Sequence, residues 1–201
     1  AHKGDVWMHL DSRGKAAHGA RPDLGRNAVH MSARIVDLLE TTYAARLRRR
    51  RHPLLGHPTI NVGMIAGGVQ PNIVPSQSRI TIDRRTLPGE TETSVRTEIR
   101  RLLVQHKLQA TFTNVRGGPC PALETNPRIP LVQAFLGAAR QKAPLGVDYF
   151  CDAAVLAQCG IPSVVFGPGD IAQAHTRDEW IATRQLEQGA SLLIDFLRSL
   201  P

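Results

Sequence analysis

Apolar and polar residues alternate at the start of the chain. Val6, Met8 and Leu10 fall on one side, which predicts a half-buried strand. The period then changes. Between Asn27 and Glu40, residues Ala28, Met31, Ile35, Leu38 and Leu39 recur at helical spacing and give one apolar face. Alternation returns from Thr59 to Ala66 through Ile60, Val62 and Met64, and Gly67-Gly68 closes that segment. Pro71 and Pro75 frame a turn around Asn72, after which Arg79 to Arg85 reads as a strand with Ile80 and Ile82 on one face. A turn at Pro88-Gly89-Glu90 precedes a second helical stripe, Val95, Ile99, Leu102 and Leu103, with Thr91 or Thr93 as its N-cap. Ala110 to Val115 is a last short strand. The order strand, helix, strand, strand, helix, strand predicts a split βαβ, ferredoxin-like unit over residues 4–115, with its helices on one face of an antiparallel sheet.

Gly117-Gly118-Pro119 and Pro121 mark a boundary, and residues 117–201 read as a different kind of unit. Ile129 to Gln141 predicts a helix. Asp152 is placed to cap another from Ala153 to Cys159, with Gly160 ending it. Ile161 to Phe166 is a nearly continuous apolar run, the pattern of a strand covered on both faces. Leu186, Ala190, Leu193, Ile194 and Leu197 predict a closing amphipathic helix. This is α/β material, but one buried strand is too little for a complete doubly wound sheet.

Composition narrows the class. At 201 residues and 42% hydrophobic, the chain has an ordinary core in prospect, and with 4% aromatics that core is aliphatic. No apolar run reaches the length of a membrane span, so no membrane partner is expected. The three cysteines, Cys120, Cys151 and Cys159, form no Cys-x-x-Cys pair, which argues against a disulfide framework or a cysteine zinc site and favours a cytoplasmic setting. The net charge of +8 draws on Arg46, Arg48, Arg49, Arg50 and Arg51. That run reads as a solvated helix end rather than a phosphate-binding patch, because no aromatics are interleaved for base stacking. No nucleic-acid partner is expected.

Four places could carry chemistry. His18 lies among small residues in Gly14-Lys15-Ala16-Ala17-His18-Gly19-Ala20, a loop before a helix; it is either an oxyanion donor or a solvated loop histidine. Asn72 could bind a carboxylate or satisfy turn amides. Arg85 shares a strand face with Asp83, so it could meet a substrate carboxylate or form an ion pair within the sheet. His175 follows the Ile161–Phe166 run and the turn Gly167-Pro168-Gly169, a common way to present a metal ligand, yet no His-x-Asp or His-Glu-x-x-His pattern accompanies it.

Taken in order, these segments resemble the M20 family of metallopeptidases and deacylases. The resemblance rests on Gly14 to His18 with Pro22 and Asn27-Ala28, and on Gly67-Gly68 to Asn72-Ile73-Val74-Pro75. It continues through Asp83-x-Arg85 with Pro88-Gly89-Glu90, Cys151-Asp152-Ala153, Gly160-Ile161-Pro162, and Phe166-Gly167-Pro168-Gly169 to His175 and Asp178-Glu179. It implies a dimerisation, or lid, domain at 4–115, followed at 117–201 by the C-terminal portion of a zinc-hydrolase catalytic domain. It implies that His18 is catalytic, crossing into a partner subunit's site to steady the oxyanion. Asn72, Arg85 and Gly167 would bind substrate, and His175 would be the final zinc ligand of a two-zinc site. The family's other ligands and its glutamate base would precede Ala1. The expectation is therefore the C-terminal half of a zinc-dependent amidohydrolase acting on N-acyl amino acids or short peptides, a homodimer inactive as this piece alone. A stand-alone dimerisation module is the alternative.

Overall fold

The computed structural model describes residues 1–118 and 120–200, so of the boundary motif Pro119 lies outside the described residues. The first alternating segment is a longer strand than its apolar positions alone require, β1 (Gly4–Arg13). β2 (Thr59–Gly67), β3 (Gln77–Thr86) and β4 (Thr111–Asn114) join it in one antiparallel sheet of order β2-β3-β1-β4. The side-chain period of two divides this sheet cleanly. Val6, Met8, Leu10, Ile80 and Ile82 form the buried face. Asp5, Trp7, Asp83 and Arg85 lie on the opposite face, because Asp5 pairs with Arg85 and Trp7 with Asp83.

Two helical segments cover the apolar face. In α1 (Ala28–Leu38) the Asn27 side chain caps the first turn by accepting from the His30 amide, and Ile35 and Leu38 point into the core. The helix does not stop at Glu40 as its stripe suggested. It passes through a π turn, Leu39–Tyr43, into α2 (Ala44–Leu47), because Leu39, Tyr43 and Leu47 extend the buried stripe. α3 (Glu92–Gln105) starts at Thr91, whose hydroxyl accepts from the Ser94 amide while Ser94 Oγ accepts from the Thr91 amide. Val95, Ile99, Leu102 and Leu103 face the same core as α1.

Two sequence expectations fail in this layer. Met64 does not continue the face of Ile60 and Val62. A bulge between Val62 and Met64 shifts the register, so Ile65 pairs with Ile80 and Met64 is 68% exposed. The arginine run is also not wholly solvated: Arg50 donates to Glu90 and to Glu98.

Beyond the sheet, α4 (Pro130–Ala138), α5 (Ala153–Gln158) and α6 (Thr183–Arg198) fall close to the predicted helices. Asp152 sits at the N-cap of α5 without a capping hydrogen bond, and Gly160 follows the helix with φ +82. The predicted buried strand Ile161–Phe166 is not formed. These residues have no regular secondary structure and no strand partners, and Val164, Val165 and Phe166 are 43%, 38% and 37% exposed. A strand is defined by its ladder, and no neighbouring strand among the described residues supplies one. Likewise the apolar stripe of α6 is largely uncovered, with Leu186 54% and Leu197 63% exposed. Among the described residues past 116, the buried apolar ones are Leu123, Val132 and Ala154.

Candidate functional site

His18 lies in the loop that leaves β1. The loop is stitched to the turn before β3: the Val74 amide donates to Ala17 O at 2.9 Å and the Gly19 amide to Asn72 O at 2.7 Å. His18 and Ile73 form the bridge between them, so His18 and Asn72 are brought side by side, both exposed. The approach depends on Gly19, where an added Cβ would stand 3.0 Å from the Asn72 backbone. The Ala20 amide donates to His18 Nδ1 at 3.1 Å. That bond occupies Nδ1 as an acceptor, so the neutral ring carries its proton on Nε2 and presents it outward. An imidazole held in this tautomer can donate to a negatively charged oxygen.

Arg85 is not part of this pair. It lies at the other end of β3, next to residue 86, whereas Asn72 precedes the strand's start at Gln77. Eight strand residues span roughly 25 Å. Around Arg85 the structure gathers residues from three segments. Its Nη2 donates to Asp83 Oδ2 at 2.8 Å, and its Nε stands 3.9 Å from Asp5 Oδ1. Arg116 Nη1 donates to Asp5 Oδ2 at 3.0 Å, and its guanidinium stacks on Trp7 with 3.7 Å to the ring centroid. Cys120 Sγ is 3.7 Å from Arg116 Nη1. Burial first, and the Asp83 charge second, push the Asp5 carboxyl up to about 6, against the pull of Arg85 and Arg116. Sequence reading singled out Arg85 and Asp83 but missed Asp5, Trp7 and Arg116. The available signal was the strand register: pairing Asp5 with Arg85 puts a carboxylate beside that guanidinium.

Gly167 and His175 belong to the far part of the chain. Gly167 borders an apolar groove of about 410 Å³ with Val132, Phe135, Phe166 and Leu192. His175 is exposed, sits at φ 63, and its amide donates to Glu179 Oε2 at 3.2 Å. No group of three or more His, Cys, Asp or Glu side chains able to hold a metal occurs among the described residues. His175 is thus a solitary candidate ligand, and the residues present do not make a metal site by themselves. Nor does any hydrogen bond or ion pair among the described residues join it to His18, Asn72 or Arg85.

The first part of the chain meets the far part at the end of the sheet where β1 begins. The His2 amide donates to Leu123 O, the Lys3 amide to Val147 O and the Asp5 amide to Cys120 O. His52 Nε2 lies 3.1 Å from Glu124 Oε1. His18 therefore sits a strand's length from this junction; the ten residues of β1 span roughly 30 Å.

Residues 1–111 match the model of the family described as the peptidase dimerisation domain, M20_dimer. Over 200 residues the chain is 31% identical to acetylornithine deacetylase of Myxococcus xanthus, covering 96% of this chain and 52% of that protein. The chain spans about half the length of the curated relatives it matches. In fold it is similar to a tripeptidase of Staphylococcus aureus, with a TM-score of 0.72 at 19% identity over 98% of this chain and 52% of that one. It is also similar to an M20 family metallo-carboxypeptidase of Sulfolobus solfataricus, with a TM-score of 0.72 at 18% identity over 98% and 58%.

Proposed function

Because this chain belongs to the M20 peptidase dimerisation-domain family, we propose that it is the lid and C-terminal catalytic portion of a cytoplasmic, zinc-dependent amidohydrolase. Its substrates are N-acyl amino acids or short peptides, and its lid, residues 4–115, makes it a homodimer. Residues 117–201 are the catalytic portion, with Gly167 on the substrate pocket and His175 as one zinc ligand; the remaining ligands come from elsewhere. The order β2-β3-β1-β4 with both helices on one face supports a ferredoxin-like lid. No helix among the described residues is long and apolar enough to cross a membrane.

The observation that carries this reading is the placement of His18 and Asn72 together, a strand's length away from Arg85 and the junction with the far part. A single site cannot use both ends of one sheet. It can use Arg85 from one chain and His18 with Asn72 from another. His18 Nε2 then donates to the oxyanion formed on the scissile carbonyl, and the Asn72 amide and Arg85 hold the substrate's carboxylate. The β2 edge offers a surface for this pairing. It is a free edge, and Met64, Ile65 and Val69 are 68%, 55% and 90% exposed.

The isolated chain is expected to hold no pair of tight zinc ions and to leave N-acetylornithine intact. Metal analysis finding two tight zincs per chain, or real turnover, would refute the inactive-piece reading. A second reading, a dimerisation module without catalysis, draws on the unequal burial: apolar side chains past residue 116 are mostly uncovered. Light scattering on a sizing column separates it from a plain monomer. Activity restored by supplying the missing ligands in a longer chain would exclude it.

A further inference from the structure

The cluster around Arg85 holds buried polar atoms that lack hydrogen-bond partners. Asp5 and Asp83 occupy the same sheet face on adjacent strands, and both carboxyls approach the Arg85 guanidinium, Asp83 Oδ2 at 2.8 Å and Asp5 Oδ1 at 3.9 Å. The Asp5 side chain is 3% exposed. One oxygen of each carboxyl, Asp5 Oδ1 and Asp83 Oδ1, is buried without a hydrogen-bond partner. Two ionised carboxylates leave both oxygens orphaned and the two charges facing each other. One shared proton satisfies both oxygens at once.

Charge counting then distinguishes two states. Without the proton, Asp5 and Asp83 balance Arg85 and Arg116. With it, the cluster carries one net positive charge. Only the second state has an unmatched guanidinium on the partly exposed side, where Arg85 is 27% and Arg116 43% exposed. Other groups close by are already engaged. Glu90 accepts from Arg84 and Arg50, Glu92 from Arg96, and Cys120 contributes a thiol beside Arg116. On β2, Thr59 and Asn61 pair with Arg85 and Asp83 and bring no charge. Further along β1 the same face carries His9, bonded to Thr81, and Asp11, bonded to Arg79.

We propose that Asp5 and Asp83 are positioning residues that share one proton and couple carboxylate binding at Arg85 to the uptake of that proton from solvent. This deepens the reading above and rests on Arg85 holding the substrate's carboxylate. In the unprotonated state Asp83 occupies Arg85 Nη2, the donor an incoming carboxylate needs. Protonation of the pair weakens that hold and frees the guanidinium for the ligand. Asp5 touches neither substrate nor reacting atoms; it sets the charge of what does.

The expected size follows from the fraction of molecules holding the proton. With the carboxyl titrating at about 6, that fraction falls from about nine tenths at pH 5 to about one hundredth at pH 8, so apparent affinity falls by about 100-fold. The test uses the chain in a Trp180→Phe background, so that Trp7, stacked under Arg116, reports binding by fluorescence. N-acetylglycine is titrated at constant ionic strength from pH 5 to pH 8, with N-acetylglycinamide as the uncharged control. The expected result is carboxylate-dependent quenching that weakens about 100-fold across this range, and an Asp5→Asn variant that binds equally well at both ends. Binding that is independent of pH in the parent chain would overturn the coupling while leaving the Arg85 reading intact. Absence of carboxylate binding at every pH would remove that reading and the coupling with it. Carbon-13 detection of the aspartate carboxyls in the unsubstituted chain is independent of the variant's folding. The Asp5 carboxyl should titrate near 6; an Asp5 carboxyl that titrates in the ordinary carboxylate range would refute the shared proton.

Discussion

Glu90 sits in the turn after β3 and holds three donors at once. Its Oε1 accepts from Arg84 Nη2 at 2.7 Å and from Arg50 Nη1 at 2.5 Å, and its Oε2 accepts from the Leu87 amide at 2.8 Å. Arg84 is 0% exposed, an arginine on the core face of a strand among Ile80, Ile82 and Tyr43. Its other contacts are to the Tyr43 hydroxyl at 3.3 Å and the Arg85 carbonyl. Those acceptors are neutral: burial pushes the Tyr43 phenol up to about 12. Glu90→Ala therefore leaves a buried guanidinium with no direct carboxylate, which costs about 3–5 kcal/mol. The lost Leu87 amide bond adds about 1 kcal/mol. Arg50 keeps Glu98 and, being partly exposed, adds little. The expected loss is about 5 kcal/mol for Glu90→Ala and about 2 kcal/mol for Glu90→Gln, which keeps shape and loses charge. Hydrogen exchange of the Met8, Ile80 and Ile82 amides under native conditions reads this loss on the sheet itself, apart from the weakly buried far part. Arg84→Met combined with Glu90→Gln should cost at least about 1.5 kcal/mol less than the two singles added, because removing both charges leaves nothing stranded. Strict additivity, or a Glu90→Gln loss below about 0.5 kcal/mol, would refute the claim that this pair is desolvated and mutually dependent.

Three other outcomes are expected. Asp5 holds its proton more tightly in the folded chain, about 6 against 3.8. Its contribution is thus complete below pH 3.8 and is lost as pH rises through about 6; Asp11, held low by its hydrogen bond to Arg79, runs the opposite way. After discounting for solvent screening the Asp5 term is about 1–3 kcal/mol, and the difference in urea midpoint between the parent and Asp5→Asn, followed from pH 4 to pH 7.5, isolates it. Met64→Arg with Ile65→Lys places charge on the free β2 edge and should shift the proposed dimer to monomer at micromolar concentration by light scattering, with the circular dichroism spectrum unchanged; a dimer that persists would move the interface elsewhere. Thr91→Ala removes the cap of α3 and should cost about 1 kcal/mol, seen as faster exchange confined to the amides of its first turn.

Strand and helix periods were legible wherever one face of an element is buried by a neighbour within this chain. Val6, Met8 and Leu10 read correctly because α1 and α3 cover them. The same logic misread Ile161–Phe166. That run has the composition of a strand buried on both faces, yet it lies exposed and unpaired among the described residues. Sequence records the burial a segment is built for, whereas a ladder also requires partners, and composition cannot say whether they are present. The bulge after Val62 was invisible for a related reason. One inserted residue leaves the apolar alternation of Ile60, Val62 and Met64 intact on paper while rotating Met64 to the other face.

The candidate residues separate along the same line. His18 and Asn72 were each unremarkable alone, and only the bridge at His18 and Ile73 makes them a pair. Arg85 posed a choice between substrate and ion pair. The structure shows the ion pair with Asp83 in place, but it also surrounds that pair with a second carboxylate, Asp5, and a second guanidinium, Arg116. An arginine matched one to one by a carboxylate is closed to a ligand. One that shares two carboxylates with another arginine can be opened by a single proton. Under the proposed coupling, pairing at Arg85 and carboxylate binding at Arg85 are two protonation states of one cluster, and the choice posed by the sequence becomes a choice of pH.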